Sequence, residues 1–188
     1  MNYLFWNANK KSLNEKIKEA IIEYTCDVII LAEYEGNIND LIKALHDEGH
    51  NFYTLKQLAC KKIHIITKFI PEKIKRLTDG NRYTIESIPH DRLKEINIAS
   101  VHLQSKLHSC NDTRLREIRI IKSRLEEIEE EYNNRNSIIV GDFNMNPFEE
   151  PMVSLDGAHS LSSKTISRNS RKVEGVKYDR FYNPMWLC

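Results

Sequence analysis

The chain has 188 residues, 40% of them hydrophobic and 29% charged, and a net charge of +1. That length suits one domain, residues 1–188, built on one core, and the charge excludes a protein that grips nucleic acid mainly through phosphate contacts. No apolar run is long enough to span a membrane and no leader opens the chain, so the default location is the cytoplasm. Cys26, Cys60, Cys110 and Cys188 form no Cys-x-x-Cys pair and are expected as reduced thiols. Lys61-Lys62, Lys73/Lys75/Arg76 and Arg168/Arg171/Lys172 read as solvated faces that leave room for a small or weakly held anionic substrate.

Asn2 to Trp6 reads as a first strand, followed by the polar Asn7-Ala8-Asn9. Ser12 and Glu15 have capping-box spacing. Leu13, Ile17, Ile21 and Tyr24 then predict a helix with one buried face. Val28-Ile29-Ile30-Leu31-Ala32 is a continuous apolar run, the mark of a strand covered on both faces, and it ends at Glu33. Ile38 to Asp47 is a second helix closed by Gly49. Strands follow at Asn51 to Leu55 and Lys62 to Thr67. Ile74 to Leu77 and Arg82 to Ile88 flank an Asp79-Gly80 hairpin signal. Lys94 to Leu103 is a longer strand with His102 near its end.

Asp112 to Tyr132 is the clearest helix, with Leu115, Ile118, Ile121, Leu125, Ile128 and Tyr132 on one stripe. Ser137 to Val140 is a strand that runs into Gly141-Asp142-Phe143-Asn144. After Pro147 the pattern weakens, and Ser160 to Ser170 reads as a surface loop. Tyr182-Asn183-Pro184-Met185-Trp186 is aromatic and turn-like.

Four strands thus end in polar side chains: Asn7, Glu33, His102, and Asp142 with Asn144. Taken singly, each has a plain explanation as a turn residue, a solvated acid or a satisfied histidine. Together they describe a site at converging strand tips. Two facing carboxylates repel each other and an anionic substrate, and a hard divalent cation relieves both. Oxygen donors from Glu33 and Asn7 fit Mg2+ or Mn2+ better than zinc. His102 can donate to a phosphoryl oxygen, Asn144 can hold the same group, and Asp142 can orient or deprotonate a water. That set implies metal-assisted hydrolysis at phosphorus.

With Trp6-Asn7-Ala8-Asn9, Ile30-Leu31-Ala32-Glu33, Ser100-Val101-His102-Leu103 and Gly141-Asp142-Phe143-Asn144 in this order, the chain resembles the endonuclease/exonuclease/phosphatase superfamily. The resemblance implies an α/β fold, a four-layer α-β-β-α sandwich of two mixed sheets with outer helices. It implies Glu33 as the metal carboxylate assisted by Asn7. It also implies His102 on the scissile phosphate, Asp142 on the attacking water or on the catalytic histidine's proton network, and Asn144 beside the phosphate. Asn9 stands where several members carry a metal-binding Asp, and Ala32 where Gln is frequent. The family's Ser-Asp-His segment has no match: His159 is the last histidine and precedes Ser160. The resemblance therefore also implies a C-terminally incomplete domain lacking its last strands. The expected function is a metal-dependent phosphodiesterase acting on a phosphorylated substrate, nucleic acid among the candidates. A catalytically inactive metal- or phosphate-binding module on the same fold is the alternative.

Overall fold

The computed structural model, which describes residues 1–93, 95–107 and 109–187, starts with β1 (Tyr3–Lys11), α1 (Asn14–Glu23), β2 (Val28–Tyr34), α2 (Ile38–Asp47), β3 (Tyr53–Leu55) and β4 (Ile63–Thr67). Strand β1 runs parallel to β2, and β4 and β3 extend the sheet antiparallel, in the order β1-β2-β4-β3. A second mixed sheet has the order β5-β6-β7-β8, from β5 (Lys75–Asp79), β6 (Tyr83–Pro89), β7 (Glu95–His102) and β8 (Ser137–Asp142). The Asp79-Gly80 turn joins β5 to β6, with the Gly80 N–H donating to the Tyr83 carbonyl. The helix α3 (Asn111–Glu131) lies in the crossover that lets β8 run parallel to β7.

The apolar run of β2 sets the layering. Ile29 and Leu31 pack with Ile17 and Ile21 of α1 and with Leu41 and Leu45 of α2. Val28 and Ile30, on the other face, pack with Ile63 and Ile65 of β4 and with Ile88, Ile96 and Ile98 of the second sheet. Burying each such side chain contributes about 1.5–3 kcal/mol. The result is a mixed α/β sandwich in which two four-stranded sheets meet face to face, in agreement with the sequence reading. On α3, Ile118, Ile121, Leu125 and Ile128 are buried.

The chain forms two compact units, Met1–His102 with Glu127–Phe143, and Leu103–Glu126 with Asn144–Cys188. Both four-stranded sheets lie in the first. The second holds α4 (Glu150–Val153), β9 (Ser160–Leu161), α5 (Lys164–Ser167), β10 (Arg171–Val173), β11 (Val176–Tyr178) and β12 (Phe181–Tyr182). Strands β9 and β12 pair in parallel, and β10 and β11 form a hairpin. In the same unit Glu149 receives Arg114, Lys106 and the Asn146 N–H, and these contacts, led by Lys106, pull its pKa down to about 2.

Three local expectations are corrected. The segment 160–170 is not one loop, since it contains β9 and α5, whose Ser163 accepts from the Ile166 N–H. Elements of two to four residues are too short to show a hydrophobic period. The capping box at Ser12 does not form: β1 continues to Lys11, so the helix begins at Asn14, with Leu13 at its N-cap and no side-chain cap bond. Tyr24 is 61% exposed, because it follows the last helical turn rather than sharing the buried face. Cys26, Cys60 and Cys110 are free thiols; Cys188 lies outside the described residues, as does Lys94 at the start of the strand read from Lys94 to Leu103.

Glu86 of β6 shares the inner face of its sheet with Thr84 and Ile88 and is 1% exposed. Burial pushes its pKa from 4.5 up to about 7, against the opposing effect of Thr84, Gln57 and Arg76. A carboxyl raised in this way adds stability that is full below its unfolded pKa and is lost as pH rises through the folded one. Urea unfolding should therefore show stability falling by on the order of 2–3 kcal/mol between acidic and mildly alkaline pH. Glu86→Gln should flatten that slope and be the more stable protein at the alkaline end; an unchanged slope would contradict the assignment.

Candidate active site

Strand β1 carries Asn7 into an irregularity. Asn7 pairs with Ala32, but Lys11 pairs with Tyr34, so the residues between them bulge from the ladder. Asn9 and Lys10 take positive φ values of 47° and 57° there. The Asn9 N–H donates to Asn7 Oδ1 at 2.9 Å, which turns the other end of the amide outward. Asn7 Nδ2 then donates to Asp142 Oδ2 at 2.8 Å. A bulge is a common way to re-aim a side chain at a site.

Glu33 follows Ala32 on β2 and has φ 47°, a conformation that few non-glycine residues adopt. Its Oε1 lies 3.1 Å from His102 Nε2. The carboxylate accepts, so Nε2 carries the proton in this contact. His102 Nδ1 is buried and has no hydrogen-bond partner among the described residues. His102 and Asp142 are register partners at the ends of β7 and β8. The structure therefore brings Asn7, Glu33, His102 and Asp142 together, two from each sheet, within the first compact unit.

Gly141 makes the approach of β8 to β7 possible. It has φ 148°, and a Cβ built on it would stand 1.9 Å from the Val101 carbonyl oxygen. Only glycine fits a backbone contact that close.

For two expected residues the structure shows no side-chain contact with these four. Asn144 belongs to the second unit, where its Nδ2 donates to the Leu103 carbonyl at 2.9 Å and its φ is 51°. It remains two residues beyond Asp142 along the chain. Asn9 meets the site through its main-chain N–H, and its side chain is exposed. No group of three or more His, Cys, Asp or Glu side chains able to hold a metal ion is found among the described residues. Glu33 and Asp142 are carboxylates and Asn7 an amide, the oxygen donor types that a hard cation such as Mg2+ takes. The bulge and the left-handed Glu33 carried no sequence signal, since neither involves a glycine or a proline.

No family model and no curated protein matches the chain. Solved structures do. The chain is similar to the human Nocturnin catalytic domain with bound sulfate, at 17% identity, covering 82% of this chain and 69% of that one with a TM-score of 0.52. It is similar to D. rerio TDP2 in complex with a single-strand DNA product, at 18% identity, 82% and 63% coverage and a TM-score of 0.51. A third is ANGEL2, a 2′,3′-cyclic phosphatase, at 16% identity, 86% and 48% coverage and a TM-score of 0.53. The chain thus spans from about half to about seven tenths of these structures' own lengths.

The close approach at Gly141 is open to test. Gly141→Ala should lower unfolding free energy by about 2–4 kcal/mol through the clash with Val101 and the unfavourable φ. Equilibrium chemical denaturation measures it, and a loss within error of zero would mean that the β7–β8 contact is not this tight.

Proposed function

We propose, for a chain with the endonuclease/exonuclease/phosphatase fold, a metal-dependent phosphoesterase that hydrolyses phosphodiester bonds in the manner of a nuclease. The observation that carries this reading is the pair of cross-sheet contacts, Asn7 to Asp142 and Glu33 to His102, at neighbouring strand ends. A carboxylate oriented by an amide, a second carboxylate, and an imidazole N–H are the parts that water attack on phosphorus requires. TDP2 with its single-strand DNA product and the 2′,3′-cyclic phosphatase ANGEL2 favour a diester over other phosphoryl substrates.

Each residue has a distinct task. Glu33 would hold Mg2+ or Mn2+ with the Asn7 amide oxygen beside it, and the cation would act as a Lewis acid on the phosphoryl group. Asp142, fixed by Asn7 Nδ2, accepts the proton of the attacking water. The water oxygen bonds to phosphorus as the ester P–O bond breaks, and the departing oxygen takes its proton from solvent. His102 Nε2–H, which donates to Glu33, would pass to a non-bridging oxygen once Glu33 takes up the cation. No helix among the described residues is long and apolar enough to cross a membrane. We place the protein in the cytoplasm as part of this reading.

Labelled DNA and RNA oligonucleotides and a bis-aryl phosphodiester are the substrates to try, with Mg2+ or Mn2+. Turnover should stop with chelator. Asp142→Ala and His102→Ala should each lower kcat by about 10²–10⁴-fold. Asn7→Ala should cost about tenfold or more, because Asp142 loses the donor that orients it. No turnover of any of these substrates with either metal would sink the proposal. Saturable binding of a phosphate ligand without turnover would assign the chain the binding-only role instead.

A further inference from the structure

On β7, Ser100 Oγ and His102 Nδ1 are buried and without a hydrogen-bond partner among the described residues. Ser100 is 0% exposed and His102 4%. Residues two apart on a strand point to the same face. That face is the inner one, because Ile98 of β7 packs in the core between the sheets, as does Val140, the register partner of Ser100 on β8.

The two atoms complement each other. His102 Nε2 donates to Glu33, so in the neutral ring Nδ1 carries a lone pair and no hydrogen. Ser100 has a hydroxyl hydrogen to give. Its register partner on β6, Thr84, is already engaged with Glu86 and Gln57. Its partner on β8, Val140, has an apolar side chain. Two residues along a strand span roughly 6.5 Å. One water bridges a gap of that size when a hydroxyl stands at one end and an imidazole nitrogen at the other.

We infer that Ser100 is a positioning residue for His102: its hydroxyl donates, through one bridging water, to Nδ1 and so holds the imidazole in the Nε2–H tautomer. The opposite tautomer would turn a lone pair toward the Glu33 carboxylate, acceptor against acceptor. The contact gains weight once a cation engages Glu33. The ring then gives up its acceptor at Nε2, and the donor at Nδ1 still sets which nitrogen carries the proton. The tautomer follows from the geometry of β7; its consequence for turnover rests on the proposed hydrolysis.

Nitrogen-15 NMR of the full chain, with chelator present and at a pH where the imidazole is neutral, reads the tautomer directly. His102→Gln identifies its signals among the seven histidines. His102 should show the Nε2–H pattern, with the Nδ1 signal displaced as for an accepted hydrogen bond. In Ser100→Ala that signal should move to the position of a bare lone pair, since a water left with one partner is not retained. Urea unfolding gives a second readout. Ser100→Ala should lower the midpoint, because Nδ1 loses its donor, and the loss should vanish in a His102→Phe background. A hydroxyl with no such role gives the reverse, since removing an unpaired buried polar group stabilises. With Mg2+ and a phosphodiester, Ser100→Ala should lower kcat about tenfold with KM unchanged, and Ser100→Thr, which keeps the hydroxyl, should recover most of it. An Nδ1–H tautomer in the unsubstituted chain, an unmoved Nδ1 signal in Ser100→Ala, or a raised midpoint would each overturn the inference. Absence of turnover would count against the proposed hydrolysis, and the spectrum and the midpoint would still decide the role of Ser100.

Discussion

His102 and Asp142 stand side by side because β7 and β8 run parallel and in register to their last residues. The rest of the site depends on that pairing. It requires the backbone of β8 to come against Val101 at a distance that no side chain tolerates, and Gly141 is the residue that allows it. Asp142 then faces the first sheet, where Asn7 donates to it, and His102 meets Glu33 from the same sheet. A shift of β8 by one residue would turn Asp142 to the other face and dissolve both contacts.

The first sheet reaches this arrangement through irregular backbone. Asn9, Lys10 and Glu33 all have positive φ values, and the β1 bulge lies beside the strained turn of β2. Such conformations cost on the order of 1–3 kcal/mol each and persist where surrounding structure holds them. Here the holding structure is the doubly covered β2, whose Ile29 and Leu31 pack on helices at one face and whose Val28 and Ile30 pack on the second sheet at the other. Strain at Glu33 and rigidity at Val28 to Ala32 are two consequences of one buried strand.

Polar groups between the sheets follow a different logic from the isoleucines around them. Glu86 and Thr84 share a face with Ile88, and their hydrogen bonding closes on protein only in part. At the β1 and β8 edges the polar groups pair across the sheets; at the β3 and β5 edges they line a cleft. An apolar middle separates the two edges.

The sequence by itself determined the element order as far as β8 and named the four residues, Asn7, Glu33, His102 and Asp142, that the structure brings together. Apolar periods made α1, α2, β2 and α3 legible, and Gly-Asp-Phe-Asn after three branched residues marked a strand tip. The resemblance read from four motifs holds at the level of the fold. Only the tertiary structure decided which residues share a contact. The bulge that aims Asn7, the left-handed Glu33 and the donation from Asn144 to Leu103 arise from backbone geometry that no residue type announced. Glu86 was equally hidden, because a carboxylate in an alternating strand reads as solvent-facing until a second sheet covers it. The short elements after Pro147 escaped notice for want of length. Period and composition are local properties of a chain, whereas register, strain and desolvation are set by what packs against it.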